Sequence, residues 1–261
     1  MLALLITGCI NPIKKQDWLQ ISNDEVRLRQ YVDSIKYYIN ESCFEKIVFC
    51  ENSNYQCDER FELERCAKDM KKKFEWISFS GNSEIVKKWG KGAGEDEIVS
   101  FAIKNSAILN QADCFAKVTG RLILKNVNSI VGKCKNNKNY FIRDVYRDKN
   151  RLGVDTRFYI IEKSFFEKKL MDCYKEIKDE KSIPLEEIYY SSLKGRYYCF
   201  REYPRFEGCS AGNGRDYGKE PFVQLVYFDF FARIGLFNKF FNIVFLFVRL
   251  RYKLTKMIGG K

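Results

Sequence analysis

The sequence predicts an α/β protein, a mostly parallel sheet flanked by helices. Two observations carry this. Apolar runs at 2–6 (LALLI), 46–50 (KIVFC) and 74–79 (FEWISF) alternate with segments of amphipathic helical spacing at 24–41 and 58–73. Each apolar run is also followed by polar or turn-forming residues, so strand, helix and strand succeed one another as in parallel crossover units.

The first run has a competing reading, because Ile6-Thr7-Gly8-Cys9 has the spacing of a lipoprotein cleavage box. Such a leader needs a charged start and an apolar stretch of roughly 7–15 residues, neither of which precedes Cys9. A strand ending in Thr-Gly and turning at Asn11-Pro12 is the better expectation. After the third strand the spacing predicts a glycine-rich loop, Gly90-Lys91-Gly92-Ala93-Gly94-Glu95, and then a helix over 95–110. A fourth strand is predicted over 113–124, further strands at 139–144 and 156–161, and helices at 163–178 and 184–194. A second glycine-rich stretch, 208–214, separates this body from the tail. No internal repeat stands out, so the division expected is one domain over 1–218 and an extension over 219–261.

With 261 residues, 46% of them hydrophobic, the chain can bury a large core. Ten cysteines without a CxxC pair read as reduced thiols, and there is no histidine. Ser-His-Asp triads, Cys-His nucleophiles and ordinary zinc sites are therefore poorly supported, and proton transfer would fall to carboxylates, Lys, Tyr or Cys. The net charge is +12, and seven of those excess cations lie from Arg233 onward, where there is no acid. Residues 234–248 are aromatic and apolar with one lysine, followed by Arg249, Arg251, Lys253 and Lys256. That is short for a membrane span and suits a helix lying on an anionic membrane surface through 233–261, against the plainer reading of a core or interface helix.

Ligands of open parallel sheets bind beyond the carboxyl ends of the strands. Here those ends carry Thr7, Gly8 and Asn11, then Glu51, Asn52 and Ser53, then Lys91, Gly92, Gly94 and Glu95, then Lys117, Thr119, Gly120 and Arg121. The glycine run could hold a phosphate through backbone N–H groups and Lys91, or be an ordinary loop; it is neither a Walker A loop nor GxGxxG. Lys117 and Arg121, four apart on one expected strand, would share a face, where an anion between them would offset their burial or both would reach solvent from a strand edge. Asp155 heads an aromatic run and could ligate a metal, bind a sugar hydroxyl or pair with Arg157. Glu186 and Glu187 open a helix after Pro184, where either could be a general base or simply favour the helix dipole.

In their order, "LLITGCINP", "KIVFCENSN", "GKGAGEDEIVSFAIKNS", "FAKVTGRLIL", "VDTRFYI", "LEEIYYSSL" and "GCSAGNG" make the chain resemble bacterial glycosyltransferases of surface-polysaccharide clusters: capsule, O-antigen or lipooligosaccharide. The resemblance covers about 1–218 and implies a GT-A-like, Rossmann-like nucleotide-sugar fold. It implies that Thr7, Gly8, Asn11, Glu51, Asn52 and Ser53 contact the nucleoside and that Lys91, Lys117 and Arg121 face the phosphates. It further implies that Asp155 meets the donor sugar or a metal and that Glu186 or Glu187 deprotonates the acceptor. The family's Asp-x-Asp metal motif is absent from the chain, and Lys117-Val118-Thr119-Gly120-Arg121 stands in its place. Cations at the leaving diphosphate are thus one option and Mn²⁺ or Mg²⁺ the other.

The function implied is transfer of a sugar from a nucleotide-sugar donor to a lipid-linked glycan acceptor, at the cytoplasmic face of the inner membrane, with no nucleic-acid partner. Two rivals stand beside it. A nucleotidyltransferase wants a lysine in the first strand-to-helix loop, which "TGCINP" lacks. A non-catalytic membrane or nucleic-acid adaptor would explain the basic tail but not the polar strand ends.

Overall fold

The computed structural model describes residues 1–12, 21–146, 151–176, 184–209, 216–219 and 230. The proposed membrane-surface segment 233–261 and most of the 208–214 stretch lie outside these residues.

In the first half strands and helices alternate up to β3, after which three helices follow in succession: β1 (Leu2–Gly8), α1 (Asp24–Glu41), β2 (Lys46–Glu51), α2 (Glu59–Asp69), β3 (Lys73–Ser78), α3 (Ser83–Trp89), α4 (Lys91–Asn105) and the single turn α5 (Ala107–Asn110). Then come β4 (Cys114–Thr119), β5 (Ile123–Leu124), α6 (Val127–Gly132), β6 (Tyr140–Phe141), β7 (Arg143–Tyr146), β8 (Arg151–Val154), β9 (Phe158–Glu162), α7 (Lys163–Lys169), α8 (Leu185–Leu193), β10 (Tyr198–Cys199) and β11 (Phe206–Glu207). Seven strands form one sheet in the order β10-β6-β9-β4-β1-β2-β3. β1, β2, β3 and β4 are parallel, and β9 runs against both its neighbours, β4 and β6. This is the mostly parallel α/β sheet that the alternation predicts.

Period-two alternation sends side chains to two cores. Leu4, Ile6, Ile47, Phe49, Ala116 and Val118 pack under α1 and α2 with Tyr31, Ile35 and Leu63. Ala3, Leu5, Val48, Phe115, Tyr159 and Ile161 pack on the other face with Val99, Ile103, Phe166 and Tyr189. The N-terminal run is therefore a central strand, wholly buried from Ala3 to Ile6. α1 begins where the Asn23 side chain accepts the Val26 N–H at 2.9 Å, and Asp24 and Glu25 complement the dipole of its first turn.

Several elements differ from expectation for local reasons. The second helix stops at Asp69 because Lys71 turns left-handed, φ 57°, which frees Lys73 to start β3. The Gly90–Glu95 run is not a loop; it forms the opening of α4. That helix breaks at Ser106, whose hydroxyl caps Leu109 at 3.0 Å. The expected strand 113–124 divides at Gly120, where the Leu122 N–H turns back onto the Thr119 carbonyl at 2.9 Å. β5 pairs instead with β11. The expected strand 139–144 divides around Ile142, with β6 in the main sheet and β7 in a ribbon with β8. α3 was not foreseen, although Asn82 caps Glu84 and Ile85 and Gly90 closes it at φ 81°, both of them sequence signals.

Candidate functional site

The parallel strands bring Thr7–Asn11, Glu51–Ser53 and Thr119–Arg121 to one edge of the sheet. Backbone bonds tie these ends together: Asn52 N–H to the Gly8 carbonyl at 3.2 Å and Gly120 N–H to the Thr7 carbonyl at 2.9 Å. The Asn11 N–H donates to the Ser53 hydroxyl at 3.0 Å. Gly120 is required by this approach, since a Cβ there would lie 2.5 Å from the Thr7 carbonyl oxygen.

Glu51 is fully buried, and its carboxylate accepts from the Ser53 N–H (2.7 Å), the Tyr55 N–H (2.8 Å) and the hydroxyls of Ser53 and Ser78. It shapes the β2–α2 loop from within, which corrects the expectation that it contacts a nucleoside directly.

Lys117 corrects the sequence reading most. It is completely buried on the face that carries Phe115, and Nζ lies 5.9 Å from the centre of the Tyr159 ring. The ammonium donates to Glu95 Oε1, to the Thr119 hydroxyl at 3.2 Å and to the Thr156 carbonyl at 2.7 Å. An ammonium has three donors, so none remains for a phosphate. Thr119 also donates to Glu95 Oε1 at 3.0 Å, and the single Thr7 hydroxyl proton is shared between Glu95 Oε1 at 3.5 Å and the Val118 carbonyl at 3.4 Å. Glu95, in the first turns of α4, thereby becomes the centre of the strand-end network.

Arg121 does not share a strand face with Lys117, because the strand ends at Thr119. Its side chain turns toward α1, where one terminal nitrogen meets Gln30 Oε1 at 3.3 Å. The residue is 8% exposed, and its buried Nε has no hydrogen-bond partner. A second buried arginine, Arg27, holds the β1–α1 loop by donating to the carbonyls of Cys9, Ile10 and Ile21. Sequence reasoning missed Arg27, although its spacing to Tyr31, Ile35 and Tyr38 places it on the buried stripe of α1. Burial pushes the Cys9 thiol up to about 11 against the opposing pull of Arg27, so Cys9 is no nucleophile at neutral pH.

The glycines of α4 serve helix packing. A Cβ on Gly92 would stand 3.0 Å from Leu185 of α8, and one on Gly94 would stand 2.9 Å from Val86 of α3. Lys91 is exposed on the first turn of α4.

Asp155 is committed to Arg157, whose Nε lies 3.0 Å from both carboxylate oxygens while NH2 approaches Oδ2 at 2.5 Å. The Arg157 guanidinium sits 4.7 Å from each of the Phe206 and Tyr217 rings. The pairing alternative therefore describes Asp155, in place of a metal or sugar ligand. Glu186 accepts from the Thr156 hydroxyl at 3.4 Å, which brings it beside the Lys117 network through the same residue whose carbonyl Lys117 holds. Glu187, next to it, opens the same helix.

Asp96 was also missed. It accepts from the Tyr189 hydroxyl at 2.5 Å and the Tyr174 N–H at 3.0 Å, and burial pushes its carboxyl up to about 7. Helical spacing to Val99 and Ile103 places it on the buried face.

A catalytic Mg²⁺ takes six oxygen ligands and is usually held by one or two free carboxylates together with waters and substrate phosphates. The carboxylate that meets the end of β4, Glu95, is already tied to a buried ammonium, and among the described residues no group of three or more Cys, Asp or Glu side chains could hold a metal. These donors do not fit Mn²⁺ or Mg²⁺. Beside the site, a cleft of about 560 Å³ opens between the β2–α2 loop and β3, lined by Tyr55, Phe61, Trp76 and polar neighbours.

This architecture, a mostly parallel sheet with one reversed strand and polar loops at the ends of β1, β2 and β4, is GT-A-like. Solved structures share it. The mannosyltransferase Ktr4p from S. cerevisiae in complex with GDP superposes with TM-score 0.52 at 10% identity, over 91% of this chain and 81% of that one. An active-site mutant of LgtC superposes with TM-score 0.51 at 9% identity, over 76% of this chain and 72% of that one. The glycosyltransferase GlyE of Streptococcus pneumoniae TIGR4 gives 0.48 at 12% identity, over 76% of this chain, which spans 44% of GlyE. No protein-family model matches the chain. No curated protein sequence matches it.

Proposed function

We propose that the chain is a glycosyltransferase that moves a sugar from a nucleotide-sugar donor to a lipid-linked glycan in bacterial surface-polysaccharide synthesis. The observation that carries this is Arg121, a buried cation with an unpartnered Nε at the ligand edge of a GT-A-like sheet. A buried guanidinium without a carboxylate is costly, and a diphosphate is the ligand that would neutralise it there. The GDP carried by Ktr4p, which shares the fold, makes a nucleoside diphosphate the natural donor class.

In this reading Arg121, with Lys91 at the start of α4, stabilises charge on the leaving group. Thr7, Gly8, Asn11, Asn52 and Ser53 border the nucleoside, and Glu186 or Glu187 takes the acceptor proton. Arg157 keeps Asp155 out of the reaction. The basic aromatic stretch 233–261 holds the enzyme at the cytoplasmic face of the membrane, where a lipid-linked acceptor resides. Among the described residues no helix is long and apolar enough to cross a membrane.

The test is a thermal shift with UDP, GDP, dTDP and CMP, each with Mn²⁺ and with EDTA. A nucleotide that binds only the folded state must raise the melting temperature. The expected result is a shift with one nucleotide that survives EDTA and disappears in Arg121→Gln. No shift with any nucleotide would sink the reading. Truncation after about residue 232 should release the protein from anionic vesicles while sparing nucleotide binding; unchanged sedimentation would refute the membrane role.

A further inference from the structure

We infer that Glu95 receives a vicinal pair of donor hydroxyls, and that Lys117 is the positioning residue that aims it. The inference rests on the donor reading above and changes the roles within it. Every hydrogen bond drawn to Glu95 from the described side chains, those of Lys117, Thr7 and Thr119, ends on Oε1. Lys117 and Thr119 converge on that oxygen, with the Thr7 hydroxyl shared between it and the Val118 carbonyl, which turns Oε1 inward and leaves Oε2 for an outside partner. The exposures agree: the Glu95 side chain is 25% exposed, against 1% for Lys117.

The chemistry of that partner follows from what a carboxylate can do. It only accepts, so it takes O–H or N–H groups and repels phosphate oxygens. The diphosphate therefore belongs toward Arg121, and the neutral, hydroxyl-rich part of the ligand belongs toward Glu95. One carboxylate oxygen has two lone pairs and suits two adjacent hydroxyls, which a ribose and a hexose both offer. Burying an ammonium among Phe115 and Tyr159 gains little stability that a well-packed apolar side chain would not. Its geometry has a use if it holds Glu95 in register with Thr7 and Thr119 at the ends of β1 and β4. Lys117 also ties that register to Thr156, and thus to Glu186.

Calorimetry with UDP, GDP and CMP, each against its 2′,3′-dideoxy form, and with UDP-glucose, GDP-mannose and CMP-sialic acid against the bare nucleotide, tests this in wild type, Glu95→Gln and Lys117→Met. Wild type should favour a hydroxyl-bearing ligand roughly tenfold or more, as expected for a hydrogen bond to a charged acceptor. If the ribose is the source, the ribo-to-dideoxy ratio falls toward one in both variants. If the sugar is the source, the nucleotide-sugar preference falls and the ribose ratio stays. A purely structural role for Lys117 would weaken both members of a pair alike and leave each ratio standing, and that result would overturn its positioning role. Should Lys117→Met not fold, Glu95→Asp, which withdraws the carboxylate by one methylene, reads the same ratios. Ratios kept in Glu95→Gln with nucleotide binding intact would overturn this assignment alone, whereas no nucleotide binding by wild type would overturn the donor reading together with it.

Discussion

Lys117 and Glu95 form an ion pair in which the cation is wholly buried and the anion is not, the side chains being 1% and 25% exposed. The asymmetry predicts how the pair fails. Lys117→Met leaves a carboxylate that water can partly reach, so the cost should fall somewhat below the roughly 3–5 kcal/mol of a broken buried pair, at about 2–3 kcal/mol. Lys117→Met combined with Glu95→Leu should recover at least half of that. Urea unfolding of the three variants checks it, and a single variant as stable as wild type would show that the pair carries no structural load.

Asp96 sets the pH response. Burial raises its carboxyl from 3.8 to about 7, with Tyr189 and the Tyr174 N–H pulling the other way and Asp172 and Glu95 adding to the rise. The folded chain thus binds a proton that the unfolded chain releases near pH 4. Stability from this group is fully present below pH 4 and declines as pH rises toward 7, at up to about 1.4 kcal/mol per pH unit. Asp96→Asn should flatten the profile of melting temperature between pH 5 and 7.

Glu202 has the opposite sign. Burial pushes its carboxyl up, but hydrogen bonds from Lys133, Ser129 and Asn126 outweigh that and bring it down to about 2. Its contribution is present above pH 4.5 and is lost as pH falls toward 2. Glu202→Gln should therefore blunt acid unfolding in that window while leaving the limb between pH 5 and 7 unchanged, as followed by circular dichroism.

Arg157 joins Asp155 to the aromatic pair Phe206 and Tyr217. Arg157→Ala should cost about 3 kcal/mol, since the buried Asp155 would lose its countercharge and keep only the residue-157 backbone N–H. Arg157→Lys should not rescue it, because an ammonium cannot reproduce the bidentate fork or stack between rings. Chemical denaturation measures both, and equal stability of the lysine variant and wild type would contradict the fork.

Gly120 and Gly132 make a matched pair of alanine substitutions. At Gly120 the new Cβ would meet the Thr7 carbonyl oxygen at 2.5 Å, whereas at Gly132 nothing lies within 4 Å. Gly120→Ala should destabilise by about 2 kcal/mol and weaken nucleotide binding by separating the ends of β1 and β4. Gly132→Ala, at the end of α6, should be neutral or stabilising by about 0.5 kcal/mol. Thermal melts of the two variants separate the cases.

Much of this protein was legible in its amino-acid order. Alternating apolar runs and amphipathic spacing determine the α/β sheet and bring the polar strand ends to one edge, because these depend on periods of two and 3.6 residues that local chemistry enforces. α1 was readable to the residue, since its cap and its apolar stripe agree. Tertiary structure alone decided how the charged groups pair. The Gly90–Glu95 run needs glycine at 92 and 94 because Leu185, distant in sequence, and Val86 of the preceding helix pack against α4 there. Lys117 and Arg121 part company because Gly120 must turn against the Thr7 carbonyl. Whether Lys117 reaches a ligand or Glu95, and whether Asp155 is free or bound to Arg157, depends on which side chains the fold brings within about 3 Å, where electrostatic and hydrogen-bond energies fall off too steeply for sequence spacing to foretell.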